Sequence, residues 1–349
     1  MDKQKKWKNQ IAVIALILLI AVAAIGVYTY VEAINPKTTM PIGVTKIPTQ
    51  HLIVSSTTSL YETGFLDALK ASFEKEYPHI NVSFLSQGTG LAIQTAMRGD
   101  ADMIFVHDPG QELTFLTGGY GVNRKVVAYN FFVIVGPPSD PAGIRGLAPL
   151  DAFKKIEAYG DNGSAVWWVS RGDGSGTHSK EKNLWKAAGF NVTILRTHTW
   201  YLERGSGMTD TLMLANEKEG YTLTDLASYL NNYNKGNIQL EIMVNESKDL
   251  LNVYSVIAGD PRNNNLTKAN FNASMTFINF VVSDAGQQLF ADYGKATFGK
   301  PLFAPYIPLL TAGGVNDTMV KLIQKYAYFN GTECPPAYRY QAGNLYSAG

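Results

Sequence analysis

The sequence predicts an α/β fold of two lobes, each a mostly parallel sheet flanked by helices, preceded by an N-terminal transmembrane helix. Three observations predict it. Apolar strand patterns alternate with helical patterns from residue 51 onward, an order that favours parallel strands covered by helices. A long uncharged apolar run precedes them. The chain has 349 residues, 46% of them hydrophobic, which is enough for two domains.

Residues 1–32 carry the signals of export. Four lysines precede an uncharged apolar run over residues 11–30, namely Lys3, Lys5, Lys6 and Lys8. The run is long enough for a helix that spans a bilayer, and the lysines favour a cytoplasmic N-terminus. We therefore expect a membrane anchor with the domain outside the cell membrane, at an archaeal surface or its periplasmic equivalent. A signal peptide cleaved near Ala21-Val22-Ala23 is the alternative, and it exports the domain as well.

A linker over residues 33–50 contains three prolines and leads into the alternating region. Strands are predicted at residues 51–54, 80–84, 101–106, 126–135, 165–170, 240–244 and 253–258, with helices between them. We expect the chain to cross between the lobes near residues 129–135 and 252–258. Lobe 1 then comprises residues 51–131 and 256–349, and lobe 2 comprises residues 132–255.

Composition excludes several classes of function. A net charge of +1 gives no broad basic surface for nucleic acid. The single cysteine, Cys334, cannot form a disulfide within the chain and makes a cysteine metal site very improbable. The histidines show no ligand spacing, and the nucleophile-elbow and phosphate-binding-loop motifs of enzymes are missing. The sequence thus predicts no enzyme, no cofactor and no protein-bound metal ion.

Eight Asn-x-Ser/Thr sequons fit an exported glycoprotein. Each is an acceptor only on an exposed part of an exported protein, and chance is the alternative for any one of them. They begin at Asn81, Asn162, Asn191, Asn245, Asn265, Asn272, Asn316 and Asn330.

Three loops between a predicted strand and a predicted helix are rich in serine, threonine and glycine. They contain Ser56, Thr57, Thr58 and Ser59; Gly88, Thr89 and Gly90; and Arg171, Asp173, Ser175, Gly176 and Thr177. Hydroxyls and backbone N–H groups at helix N-termini bind anions, and such loops meet at one edge of an α/β sheet. Helix capping explains any single loop, but the set predicts an oxyanion site.

Arg171 and Asp173 carry the charge of this predicted site. A guanidinium supplies fixed donors and a full positive charge to a tetrahedral oxyanion, although Arg171 could instead pair with a carboxylate. Asp173 could orient Arg171, cap the following helix, or accept the proton of hydrogen phosphate. The first two roles suit tungstate or molybdate, which are fully deprotonated at neutral pH, and the third suits phosphate.

Two further positions have a weaker pattern. Tyr221 and Thr222 precede a helix and could donate to the cleft, with simple capping as the alternative. His178 lies in the first turn of a helix, and a structural role fits it better than a metal role because no partner histidine has ligand spacing.

The chain resembles the tungstate-binding proteins of ABC transporters (the TupA type), a family within the periplasmic-binding-protein-like superfamily. The likeness begins with Thr-Thr-Ser at residues 57–59 and covers most of residues 51–229. Its other motifs lie at residues 99–102, 119–124, 132–137, 140–144, 170–173, 175–178, 200–203, 207–208, 216–218 and 221–225.

The resemblance implies a type II binding-protein fold of two lobes that close over an oxyanion, delivered to a permease and an ATPase. It places Thr57, Thr58, Ser59, Thr89, Arg171 and Thr177 at the anion, with Ser175 and Gly176 beside them. The chain departs from the pattern with Ser56 where threonine is expected and Gly174 where an acidic residue is expected. A monomer that binds tungstate is the resulting expectation. Binding of molybdate or phosphate, a surface-anchored hydrolase at Ser175 and His178, and an adhesive glycoprotein are the alternatives.

Overall fold

The computed structural model describes residues 7–8, 15–16, 18–27, 29, 48–163, 166–266, 268–313 and 317–346. The chain forms two compact units, Met1–Pro48 and Thr49–Gly349. In the first unit residues 18–27 are helical. The apolar run over residues 11–30 and the linker over residues 33–50 lie partly outside the described residues. Within the described part, no helix is both long enough and apolar enough to cross a membrane.

The second unit is built on a sheet of eight strands and a separate pair of short strands. The strand order is β10-β4-β9-β3-β1-β2, with β7 and β8 also paired to β4, while β5 pairs with β6. The strands are β1 Gln50–Thr57, β2 Ile80–Gln87, β3 Met103–Val106, β4 Gly121–Gly136, β5 Trp168–Ser170, β6 Tyr201–Glu203, β7 Thr222–Asp225, β8 Glu241–Val244, β9 Leu251–Gly259 and β10 Ala304–Pro305.

Helices cover the faces of these sheets. They are α1 Thr58–Glu62, α2 Phe65–Glu76, α3 Thr89–Met97, α4 Pro109–Thr117, α5 Pro149–Asp161, α6 Gly176–Ala187, α7 Val192–Leu195, α8 Met208–Glu217, α9 Leu226–Asn234, α10 Phe271–Val282, α11 Asp284–Asp292, α12 Lys295–Phe298, α13 Tyr306–Gly313 and α14 Thr318–Ala327. Short 3-10 helices lie at Lys248–Leu250, Asn264–Leu266 and Pro336–Tyr338. The order of strands and helices predicted from the sequence is confirmed in outline. The helix α1 was not expected.

The prediction of mostly parallel sheets is wrong, because the large sheet is mixed. β1 pairs in parallel with β2 and β3, and β5 with β6. The long strands β4 and β9 run antiparallel to each other, and the remaining pairs in the described chain are antiparallel as well. Alternation of strands and helices predicts only how neighbours in sequence pair. β4 and β9 are distant in sequence, and no local pattern encodes their relative direction.

One continuous strand, β4, contributes residues to several hydrophobic cores along its length. Its first part, residues 121–131, pairs with β9, and its last part, residues 132–136, pairs with β7 and β8. Phe65, Phe73 and Phe105 belong to the core beside the first part. Phe132 and Trp168 belong to the core beside the second. The strand therefore links two separately packed regions, while the lobe boundaries given above stay a prediction.

A buried carboxylate holds β5 in place, and β5 leads directly into the loop of Arg171. Glu181 on α6 accepts hydrogen bonds from Trp168 Nε1 at 2.8 Å, Ser170 Oγ at 2.8 Å and Tyr201 OH at 2.7 Å. Burial raises the pKa of the Glu181 carboxyl, and these three donors act in the opposite direction. The carboxylate thus joins β5, β6 and α6 through a single side chain.

We expect Glu181→Leu to lower the free energy of unfolding by about 3 kcal/mol or more, because each buried donor left without an acceptor costs roughly 1–3 kcal/mol. Urea unfolding of the purified domain measures this. The control is Glu217→Leu on α8, whose side chain is 69% exposed and where a change within about 0.5 kcal/mol is expected. Equal losses in the two variants would contradict the anchoring role of Glu181.

Candidate functional site

Two loops that follow strands approach each other closely at their glycines. A Cβ atom on Gly88 would lie 3.5 Å from Oδ2 of Asp173, and one on Gly90 would lie 3.1 Å from the carbonyl oxygen of Gly174. A Cβ on Gly176 would lie 3.1 Å from Oγ1 of Thr89. The structure therefore brings the start of α3 and the start of α6 together.

Arg171 joins the third predicted loop to this pair. Its side chain is 2% exposed, its Nε donates to Asp173 Oδ2 at 2.9 Å, and its Nη2 donates to Thr58 Oγ1 at 2.6 Å. Thr58 begins α1, directly after β1. A buried guanidinium requires acceptors on its N–H groups, and here a carboxylate and a hydroxyl from different segments supply them.

Asp173 uses both of its carboxylate oxygens within its own loop. Oδ2 accepts from Arg171, and Oδ1 accepts from the backbone N–H of Ser175 at 3.0 Å. Two of the three roles considered from the sequence, orienting the guanidinium and supporting the start of the next helix, are thus visible as contacts.

Thr57 and Ser59 complete the turn that follows β1. Thr57 caps α1, because its Oγ1 accepts from the N–H of Leu60 at 3.4 Å. Ser59 Oγ lies 3.2 Å from Thr57 Oγ1 and 3.5 Å from Nε2 of His107. Both side chains are buried, so the turn presents its hydroxyls to the interior of the fold.

Two threonine hydroxyls in the site are buried without hydrogen-bond partners among the described residues. They are Oγ1 of Thr89, the first residue of α3, and Oγ1 of Thr177, the second residue of α6. Such groups normally find a partner in a native protein, because leaving one unsatisfied costs roughly 1–3 kcal/mol. The first backbone N–H groups of a helix also have no partner within the helix. These two helix starts therefore carry donors for a guest.

His107 is a site residue that the sequence analysis missed. It follows β3, its ring is buried, and its Nδ1 lies 2.9 Å from Oδ1 of Asn252. A Cβ on Gly176 would lie 2.9 Å from its Cε1. Burial lowers the pKa of the ring. The signal that could have found His107 was its position directly after β3, since ligands bind at the carboxyl ends of such strands.

Acidic groups also lie near the site. Asp225 caps α9 through Oδ1, which accepts from Ser228 N at 2.9 Å, and its Oδ2 has no partner in the described part of the chain. Glu62, at the end of α1, accepts from Thr209 Oγ1 at 2.7 Å. Burial raises the pKa of the Glu62 carboxyl, and the Thr209 hydrogen bond lowers it.

Three predicted candidates have their hydroxyls engaged elsewhere. Ser56 Oγ donates to the carbonyl of Phe105, and Thr222 Oγ1 donates to the carbonyl of Val169. Tyr221 OH donates to Asp140 at 2.7 Å. These three hydroxyls thus bond to groups outside the loops that begin α3 and α6.

The contacts of Ser175 and His178 do not form a nucleophile and base. Ser175 Oγ accepts from the backbone N–H of His178 at 3.3 Å, as a helix cap does. His178 Nδ1 accepts from the backbone N–H of Gly174 at 3.0 Å. A catalytic serine needs its hydroxyl on the imidazole of a base, and here each side chain is bonded to the backbone. Among the described residues no cluster of His, Cys, Asp and Glu could hold a metal ion.

The site thus presents hydroxyls, a guanidinium and helix N-termini to one region, an arrangement suited to an oxygen-rich anion. Residues 43–285 match the family of PBP (periplasmic binding protein) superfamily domains. The chain belongs to this superfamily.

Several similar proteins have names that state the ligand they bind. The tungstate-binding protein TupA of Peptoclostridium acidaminophilum is 36% identical over 258 residues, which are 73% of this chain and 85% of that protein. A protein of Haloferax volcanii, provisionally named an anion-binding protein of an ABC transporter, is 42% identical over 283 residues, 77% of this chain and 79% of that protein. The solved structure of TupA from Desulfovibrio alaskensis G20 is similar with a TM-score of 0.61 and 37% identity, covering 73% of this chain and 98% of that one.

We expect Thr89→Val and Thr177→Val to leave the free energy of unfolding unchanged or to raise it when no anion is present, because neither hydroxyl has a partner to lose. The matched control is Thr222→Val, which removes the donor to the Val169 carbonyl and should cost about 1 kcal/mol. Thermal unfolding in anion-free buffer compares the three variants. A loss in Thr89→Val as large as in the control would mean that its hydroxyl serves the fold.

Proposed function

We propose that this protein is the solute-binding component of an ABC importer, and that it captures tungstate at the site formed by the β1–α1, β2–α3 and β5–α6 loops. The observation that carries the proposal is the pair of buried, unpartnered hydroxyls of Thr89 and Thr177 at helix N-termini near Arg171. The proposed contacts are made by Thr57, Thr58, Ser59, Thr89, Gly90, Arg171, Ser175, Gly176 and Thr177.

The chemistry of the lining favours a fully deprotonated guest. A buried dianion costs tens of kcal/mol to desolvate unless charge and donors replace its water. Tungstate and molybdate offer only acceptors, and the hydroxyls, helix N–H groups and guanidinium here can all donate. Asp173 accepts from Arg171 and from the Ser175 backbone N–H, the two roles that suit a fully deprotonated guest.

The choice of tungstate rests on the relatives named above, two of which are named as tungstate-binding proteins. Phosphate remains the second candidate for one reason. The free Oδ2 of buried Asp225 could accept the proton of hydrogen phosphate if it faced the guest.

The proposal extends to location and partners. We place the domain outside the cell membrane, tethered by the apolar segment over residues 11–30, where it passes tungstate as a monomer to the permease and ATPase. Seven of the eight sequon asparagines lie in the described chain, and all seven are exposed, which supports glycosylation of a cell-surface protein. Asn316 lies outside the described residues.

Closing of two lobes over the anion would remove its water and strengthen each donor contact.

Calorimetric titration of residues 49–349 with tungstate, molybdate, sulfate and phosphate tests the proposal. We expect tungstate to bind most tightly, because each of its oxygens can accept from the site and none must keep a proton. Tungstate binding no tighter than phosphate would overturn the assignment and favour the second candidate.

Arg171→Ala should weaken tungstate binding by about 1.5 kcal/mol or more, the lower end for a hydrogen bond to a charged group. Arg204→Ala is the control, because the Arg204 side chain is 43% exposed and makes only a long contact, 3.5 Å, with Asp210. This variant should bind tungstate as tightly as the unaltered protein does. Both variants are titrated with tungstate after their folding is checked by thermal unfolding. A smaller loss in Arg171→Ala than this would show that the guanidinium does not face the anion.

A further inference from the structure

A chain of side-chain amides fixes which nitrogen of His107 carries a proton. The chain begins at the carbonyl of Leu302, which can only accept and receives Asn130 Nδ2 at 3.3 Å. Asn130 Oδ1 must then accept, and it receives Asn252 Nδ2 at 2.9 Å. Asn252 Oδ1 in turn faces His107 Nδ1 at 2.9 Å. Because amide oxygens only accept, Nδ1 of His107 must be an N–H donor.

This assignment leaves Nε2 of neutral His107 without a proton. The lone pair of Nε2 points toward Ser59, whose Oγ lies 3.5 Å away. In the neutral state, therefore, Nε2 can only accept from the Ser59 hydroxyl. Ser59 has one hydrogen to give. Thr57 Oγ1, 3.2 Å from Ser59 Oγ, can donate its own hydrogen to the serine, and this leaves the Ser59 hydrogen for His107 Nε2.

A deprotonated oxyanion competes for that same hydrogen. Every group that touches such a guest must donate, because the anion has only acceptors. Under the function proposed above, Ser59 turns its hydrogen to the anion, and Nε2 is left facing an oxygen lone pair. A proton on Nε2 removes this conflict, because Nε2–H then donates to Ser59 Oγ while Ser59 donates to the guest.

The charges around His107 favour the same proton. Arg171 opposes it, but this guanidinium is already paired with Asp173. Asp225 on β7 and Asp108, the next residue, both stabilise the charged ring. Burial outweighs them and keeps the pKa of His107 below its usual value in the free protein. A dianion beside the ring adds two negative charges, and an opposite charge within a few ångströms favours the protonated form.

The elements packed on the ring add no other charged group. Phe132 on β4 and Tyr254 on β9 contact it with ring-centre distances of 6.1 and 5.2 Å. Tyr254 is a neutral phenol near pH 7, because burial raises its pKa. Asn252 and Ser59 complete the polar contacts. The groups that set the charge of the ring are therefore Arg171, Asp108, Asp225 and the guest.

We propose that His107 is a positioning residue of the oxyanion site that takes up one proton from solvent, at Nε2, when the anion binds. The proton stays on the ring while the guest is bound and returns to solvent on release. The Nε2–H bond is the only covalent bond that forms on binding and breaks on release. His107 acts through Ser59 by freeing the serine hydrogen for the anion.

His178, the other histidine near the site, is not placed to receive this proton. Its Nδ1 accepts from the backbone N–H of Gly174, so its neutral form already carries hydrogen on Nε2. A second proton would have to enter at Nδ1 and break that bond. Burial also lowers the pKa of His178.

Linkage gives the direction of the effect. Binding raises the pKa of His107, so the added affinity is fully present below the pKa of the free form, declines between the two pKa values, and is gone above the pKa of the bound form. Between the free and bound pKa values the Kd for tungstate should rise about tenfold per pH unit. The lower edge of this window lies below about pH 6.5, because the free pKa is depressed from that model value.

The experiment is tungstate calorimetry in three buffers of different ionisation enthalpy, none of them phosphate, at several values between about pH 6.5 and 8.5. The slope of observed heat against buffer ionisation enthalpy counts the protons taken up. We expect about half a proton or more near pH 6.5 and less at the upper end. In His107→Gln, which keeps an amide near Asn252 but cannot take a proton, the slope should fall to zero and Kd should no longer depend on pH.

One control variant and one substitute variant make the result interpretable. His51→Gln changes an exposed histidine on β1 and should keep the full proton uptake. If His107→Gln does not fold, His107→Asn and the pH dependence of the unaltered protein still decide. Tungstate binding with buffer-independent heat, or with uptake that survives in His107→Gln, would overturn this inference and leave the proposed function intact. A lack of tungstate binding at every pH would instead remove the function itself.

Discussion

The rest of the site depends on a guanidinium held away from water. Arg171 is almost fully buried, and its contacts with Asp173 and Thr58 tie the β5–α6 loop to the turn that follows β1. A charge in this position is tolerable only with partners on its N–H groups. One partner is a carboxylate of the same loop, which neutralises it locally. The other is a neutral hydroxyl, which can be exchanged for an anionic oxygen without leaving a buried charge behind.

The same reasoning explains why the lining is made of hydroxyls and not of further cations. Arg171 is already balanced by Asp173, and Asp225 adds a negative charge to the surroundings of His107. A dianion therefore enters a region without net positive charge and must be held by oriented dipoles. Hydroxyls and helix N-termini supply these at fixed positions. Such a lining binds a guest more tightly when every oxygen of the guest accepts a hydrogen bond, and more weakly when the guest must also donate one.

The sequence predicted the parts of the site that local patterns encode. The loops after β1, β2 and β5 stand out because hydroxyls and glycines follow apolar strands, and the close approach at Gly176 shows why glycine occupies one of these positions. The role of His107 depends on Asn252 and Asn130, which are 145 and 122 residues away from their partners in the chain. Likewise, the antiparallel pairing of β4 with β9 is a long-range contact. The spacing of residues in the sequence does not predict such long-range contacts.

Several partly buried polar contacts join segments that are distant in sequence near the candidate site. Besides Arg171 with Thr58, they include Glu62 with Thr209 and Gln111 with Ser179 at 3.2 Å. The bond of Arg171 involves a charged group and contributes about 1.5–3 kcal/mol, whereas a neutral hydrogen bond such as that of Gln111 contributes about 0.5–1.5 kcal/mol net. The hydroxyls of Thr89 and Thr177, which have no partner among the described residues, cost about 1–3 kcal/mol each in the opposite direction. An anion that accepts from both hydroxyls removes this cost, and the difference favours the arrangement that binds it.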